Sequence, residues 1–206
     1  MTIAGGAVLQ FPLALIALVA VAVSLVYTGG MILNDAFDAP FDAMHRPERP
    51  VAAGDVARSE AFAAGGLVIL LGVLLQALVS PRSFAWAAIL AGTVVLYDYH
   101  HKGFRFGPIV MGTCRGLVYC VAASAAAGVS ASVLAAALLL TVYTASLTLV
   151  AKRAGPRAGI VVPVMIAGMS LLDALVIAWS GGGVLTFVAV VCFALTLAFQ
   201  RVVPGT

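Results

Sequence analysis

Charge is what this sequence has least of. Asp, Glu, Lys and Arg make up 9% of its 206 residues, where a soluble domain carries about 25%. With 63% hydrophobic residues and a mean hydropathy of +1.15, a soluble globule is excluded. Cysteine is scarce as well. Cys114, Cys120 and Cys192 lie in apolar segments without zinc-ligand spacing, and they read as packing residues. The apolar runs lack period-two alternation, which excludes an outer-membrane barrel. No cationic stretch precedes the first run and no small-residue cleavage pattern follows it, so 1–33 is not a signal peptide. Basic residues are not interleaved with aromatics, which excludes nucleic acid as a partner.

What is present is a series of long apolar runs. A spanning helix needs about 20 mainly apolar residues. Seven runs approach that length: 9–33, 61–79, 84–97, 107–128, 131–151, 158–179 and 183–200. The third has only 14 residues, a length that also suits an interfacial segment. With the 34–60 loop on side one, that side holds Arg46, Arg49, Arg58, Lys102, Arg105, Lys152, Arg153, Arg157 and Arg201. Side two holds Arg82 alone. This asymmetry makes side one cytoplasmic and retains the short third run as a span, since deleting it would strand Lys102 and Arg105 outside. The expectation is an all-α, polytopic transmembrane bundle of about seven spans. It would sit in the inner (cytoplasmic) membrane as one domain over 1–206, with its amino terminus outside and its oligomeric state open.

The sparse acidic residues are not spread evenly. Four of the eight, Asp35, Asp38, Asp42 and Glu48, fall within 34–50, directly behind the first apolar run. Asn34, Asp38 and Asp42 stand at i, i+4 and i+8, so on a helix they drift by about 40° per step and share one stripe roughly 12 Å long. Oxygen ligands of this kind suit Mg²⁺, which takes one or two carboxylates and leaves other positions to phosphates and water. A merely solvated acidic helix end is disfavoured, because carboxylates oppose the dipole at a helix C-terminus. Pro40 is expected to kink or end the helix between Asp38 and Asp42. Arg46 and Arg49 follow in a loop stiffened by Pro47 and Pro50, with Gly54 permitting a sharp turn. Their guanidiniums offer forked donors to phosphate.

Other polar positions are fewer. Tyr97 and Lys102 bracket the next cytoplasmic boundary, as interfacial aromatic and cationic residues do. His100 and His101 read as loop-exposed, since adjacent residues do not share a helix face. Arg115 lies eight residues past Gly107, about 12 Å into its run by helical rise. A mid-span arginine costs at least ~2.5 kcal/mol, and either a deep anion site or an interhelical bond explains it. Gly112 and Gly116 beside it admit close approach of another helix. Asp173 stands apart from the acidic cluster, deep in the sixth run.

Asn34-Asp-x-x-Asp38-x-x-x-Asp42 followed by Arg46-Pro-x-Arg49-Pro-x-x-x-Gly54 resembles the first signature of the UbiA superfamily of intramembrane aromatic prenyltransferases. Tyr97 through Lys102 resembles the Tyr…Lys element of that family's fourth helix. Gly107-Pro-x-x-Met111-Gly-x-x-Arg115 is similar to the start of the next helix, particularly in the short, divergent EboC-like members. The resemblance implies a helical bundle with a central cavity open to the cytoplasmic leaflet. It also implies Mg²⁺-assisted ionisation of a prenyl diphosphate, then attack by an aromatic or other lipid-soluble acceptor. Asn34, Asp38 and Asp42 would hold the Mg²⁺-diphosphate. Arg46, Arg49 and Lys102 would neutralise the leaving group, and Tyr97 would lie near the reacting carbons.

Two departures from the family pattern carry further expectations. The motif follows the first apolar run and not the second, which implies that the family's first and last helices are lacking, with a start upstream of Met1 as one explanation. The family's second Asp-rich motif should fall at 151–157, where this chain has Lys152, Arg153 and Arg157 and no carboxylate. These cations, with Arg115 deeper in the membrane, could bind the diphosphate directly. The competing reading is a non-catalytic relative that binds or transports a prenylated or aromatic compound. A phosphatidyl-transferring enzyme is excluded, because its Asp-Gly-x-x-Ala-Arg pattern is missing.

Overall fold

The computed structural model describes residues 12–100 and 105–200, and every regular element among them is helical. In chain order they are α1 (Leu13–His45), α2 (Pro50–Ala53), α3 (Arg58–Ala77), α4 (Pro81–His100), α5 (Gly107–Ala126), α6 (Ala131–Arg153), a 3-10 turn (Gly155–Arg157), α7 (Ala158–Trp179) and α8 (Gly183–Phe199). The chain divides into two compact units. The amino-terminal unit comprises Leu13–Gly107 and Cys120–Gly128; the carboxy-terminal unit includes Pro108–Tyr119 and residues 129–200, so α5 contributes to both.

In the amino-terminal unit, α1 is 33 residues long, about 50 Å by helical rise against a hydrocarbon core of about 30 Å. Its apolar part, 13–33, is long enough to cross by itself. The acidic segment from Asn34 onward therefore extends the same helix past the hydrocarbon. Of the two outcomes expected at Pro40, a kink or an end, the second does not occur: the helix runs on to His45. Proline removes the N–H that would reach the carbonyl four residues back, here that of Ala36. Arg58 Nε donates to that carbonyl at 2.8 Å.

Within a bilayer, helices gain little from hydrophobic burial against one another and associate through close packing of small residues. A Cβ added at Gly29 would lie 2.7 Å from the Gly65 carbonyl, and one at Gly72 2.6 Å from that of Ala22, so α1 and α3 touch backbone to backbone. Gly30 instead receives the Val94 side chain of α4, whose Cγ1 would lie 2.6 Å from an added Cβ. Polar groups close the opposite end of this unit. Ser83 Oγ donates to Gln76 Oε1 at 2.7 Å, and both side chains are fully buried.

The run at 84–97 proves longer than the sequence indicated. α4 starts at Pro81, where Ser80 Oγ accepts the Ser83 N–H at 3.0 Å, and it continues to His100 for 20 residues. Among the described residues five helices are long and apolar enough to cross a membrane: α1, α3, α5, α6 and α7. α8 is apolar but shorter, at 17 residues. Large apolar side chains such as Leu67, Leu138, Leu175 and Phe187 are exposed on these helices, as a lipid-facing surface requires.

In the carboxy-terminal unit, Gly112 and Gly116 do bring another helix close. A Cβ at Gly116 would lie 2.5 Å from the Ala137 carbonyl, and Gly112 abuts the Thr141 carbonyl, so α5 packs tightly on α6. Tyr143 of α6 donates its hydroxyl to the Met165 carbonyl of α7 at 2.8 Å. Asp173, solitary in the sequence, accepts a hydrogen bond from the Tyr119 hydroxyl. None of the three cysteines forms a disulfide; Cys114 and Cys120 are buried and Cys192 is exposed on α8.

Candidate functional site

The acidic residues Asp35, Asp38 and Asp42 of the amino-terminal unit lie in the carboxy-terminal part of α1. After His45 the chain turns through Arg46, whose N–H donates to the Asp42 carbonyl at 2.7 Å, and then Arg49, whose N–H donates to the Arg46 carbonyl at 3.1 Å. Pro50 occupies the first position of α2, where its missing N–H costs nothing. Gly54 ends that helix with φ of 86°, a left-handed conformation that glycine adopts without strain. The Glu60 carboxylate accepts the Ala57 N–H at 3.1 Å and fixes the start of α3. Ala57 has no side-chain acceptor to complete a reciprocal capping box. The loop thus folds back on α1.

That return places Arg49 against the acidic stripe. Its Nη1 donates to Asp35 Oδ1 at 3.0 Å and to Asp42 Oδ2 at 3.1 Å. The two carboxylates are seven residues apart, two turns of one helix, and lie on either side of Pro40. Asp42 is 3% exposed, so its pairing with Arg49 takes place largely out of water. Asp38 lies between them and has one buried carboxylate oxygen. Arg46 is exposed at the turn.

Asn34, one turn deeper, is joined to α4. Its Nδ2 donates to Asp98 Oδ1 at 3.3 Å, and Asp98 is 5% exposed. With the amide nitrogen of Asn34 committed to Asp98, its Oδ1 is the atom left to accept a hydrogen bond or to ligate a cation. Tyr97, half-buried, immediately precedes Asp98 on α4. An aromatic series braces the same end: Phe62 meets Phe37 edge to face at 4.8 Å, and Phe37 meets Tyr99 at 5.8 Å.

Of the residues singled out from the sequence, the structure brings Asp42 and Arg49 into contact and groups Asn34, Asp38, Arg46 and Tyr97 in the same unit. Lys102 and His101 lie outside the described residues. Arg115, Lys152 and Arg153 belong to the carboxy-terminal unit, with Arg115 half-buried on α5 and the other two exposed at the end of α6. Among the described residues, no three His, Cys, Asp or Glu side chains converge as a metal-holding group.

Three participants escaped sequence reasoning. Asp35 was visible within the motif but carried no assignment. Asp98 had a detectable signal: an acidic residue at the end of an apolar helix is costly unless it is partnered. Arg58 counted only as a topological charge, although Pro40 leaves a carbonyl that needs a donor.

A membrane-spanning helical protein carrying an acidic stripe clamped by arginine is the class that fold and site define. The chain belongs to the UbiA prenyltransferase family, whose model matches residues 1–204. It is a multi-pass membrane protein. It is 36% identical to the digeranylgeranylglyceryl phosphate synthase of Methanoregula boonei over 84 residues, which is 41% of this chain and 30% of that protein. The enzyme of the same name from Ignicoccus hospitalis is 35% identical over 103 residues, covering 50% of this chain and 33% of the relative. That of Methanosarcina mazei is 33% identical over 115 residues, covering 55% and 40%. The match therefore spans well under half the length of these relatives. No solved structure matches.

Proposed function

We propose that this protein is an intramembrane prenyltransferase that moves a prenyl group from a prenyl diphosphate to a lipid-soluble acceptor, with its site facing the cytoplasm. The observation that carries this reading is the double contact of Arg49 with Asp35 and Asp42. The acidic and basic halves of the motif, separate in sequence, form one polar surface at the membrane boundary.

Asn34, Asp38 and Asp42 would hold Mg²⁺. What supports the metal is the donor chemistry: hard carboxylate and amide oxygens, with the Asn34 oxygen freed by Asp98. Bound Mg²⁺ supplies Lewis-acid neutralisation of the diphosphate. Arg46, Arg49 and Lys102 bind the diphosphate oxygens as fixed cations, which count for most where charge develops in a dry site. The allylic C–O bond breaks with its electron pair leaving on the diphosphate. The acceptor attacks the allylic carbon beside Tyr97 and then loses its proton. In the carboxy-terminal unit, Arg115, Lys152 and Arg153 are further anion-binding candidates.

The names of the relatives make geranylgeranyl diphosphate the first donor to try and a prenylated glyceryl phosphate one acceptor to include, beside aromatic compounds. Purified protein with Mg²⁺, a series of prenyl diphosphates and a lipid extract should release pyrophosphate and form a prenylated product. Absence of turnover for every donor overturns the catalytic reading. The alternative, a binding or transport role, draws on the carboxylate-free stretch at 151–157. Tight Mg²⁺-dependent binding of diphosphate without turnover favours it.

A further inference from the structure

We propose that Arg58 is a positioning residue that replaces the backbone donor missing at Pro40 and so holds Asp38 and Asp42 in register across the proline. It rests on the reading of those carboxylates as the Mg²⁺-diphosphate site. Pro40 leaves the Ala36 carbonyl without its helical N–H, and Ala36 is wholly buried, so bulk water does not supply a substitute. Arg58 Nε does, at 2.8 Å.

An aromatic ring also holds the guanidinium. Its Cζ lies 5.3 Å from the centre of the Phe62 ring on α3. Phe62 packs edge to face on Phe37, the residue after Ala36. The capped start of α3 fixes where Arg58 emerges. α1 therefore stays helical through Pro40 because a side chain from α3 completes its backbone bonding. Arg49 also spans the proline, through Asp35 and Asp42. On the proposed function, Arg49 turns toward the diphosphate oxygens when substrate binds. Arg58, committed to a backbone carbonyl, remains as the brace.

The test compares wild type, Arg58→Ala, Pro40→Ala and the Pro40→Ala/Arg58→Ala double variant in detergent. Alanine at 40 restores the N–H, so the brace becomes redundant. Two readings are taken: amide hydrogen exchange at residues 41–45 without ligand, and the affinity for geranylgeranyl diphosphate with Mg²⁺. Arg58→Ala should speed exchange and weaken binding about tenfold, the usual scale for losing a residue that orients a metal ligand. In the Pro40→Ala background the same change should alter neither. Equal weakening in both backgrounds means that Arg58 acts through its charge and overturns the proposal, as does no effect in either. If Arg58→Ala does not fold, a folded double variant supports the proposal and an unfolded one sinks it. If wild type takes up no diphosphate, the reading of the site fails, while hydrogen exchange still decides the role of Arg58.

Discussion

Arg49 Nη1 lies 3.1 Å from Asp42 Oδ2, seven residues back along the chain and around a turn. The same nitrogen reaches Asp35 at 3.0 Å. Both contacts come from one terminal nitrogen, a geometry that a lysine ammonium, with three donors on one atom, reproduces in part. Arg49→Ala should therefore weaken Mg²⁺-dependent diphosphate binding by tenfold or more, on the scale of about 1.5–3 kcal/mol for a charged hydrogen bond, and Arg49→Lys by less. Titration of both variants checks this, and an alanine variant with native affinity speaks against a role for the cation.

Asp98 acts through Asn34. Asp98→Leu removes the acceptor that orients the amide, and a loss of about tenfold in Mg²⁺ affinity is expected. Asn34→Ala combined with Asp98→Leu should cost little more than Asn34→Ala alone. Additive losses in the four-protein cycle would mean that the two residues act separately.

Two glycines of α3 give opposite predictions. Gly72 faces the Ala22 carbonyl, where a Cβ would sit at 2.6 Å, while nothing lies within 4 Å of a Cβ at Gly66. Gly72→Ala should lower the unfolding temperature, with about 1–3 kcal/mol lost to forced separation of α1 and α3. Gly66→Ala should be neutral or stabilising by up to about 1 kcal/mol, since alanine favours the helix. Thermal unfolding in detergent distinguishes them.

In the carboxy-terminal unit, Tyr119→Phe leaves Asp173 without the Tyr119 hydroxyl. A loss of about 1–3 kcal/mol is expected. Replacing both groups, as in Tyr119→Phe with Asp173→Leu, should recover much of it, because no polar group is then stranded in the apolar interior. If the double variant is no better than the single one, the bond is not a stability contact and Asp173 serves another end.

Much of this architecture was legible in the chain. The run at 158–179 coincides with α7, and that at 107–128 with α5 to within two residues at its end. Charge is so scarce that each apolar run is bounded sharply. The motif halves could be assigned to one site because carboxylates suited to Mg²⁺ and guanidiniums suited to phosphate serve one ligand; the return of Arg49 to α1 is visible only in the structure. What lay beyond reach was tertiary. Helix continuity through Pro40 depends on Arg58, 22 residues from the carbonyl it satisfies. The partner of Asn34 is 64 residues away on α4. Local propensity speaks against both, and only packing between α1, α3 and α4 reveals them.

Calorimetric titration of geranylgeranyl diphosphate into the purified protein, with Mg²⁺ and then with a chelator, tests the central claim most directly. The acidic stripe should give binding that requires the metal and that Asp38→Asn abolishes. Equal affinity in the presence of chelator, or no binding at any prenyl length with Mg²⁺ present, contradicts the account.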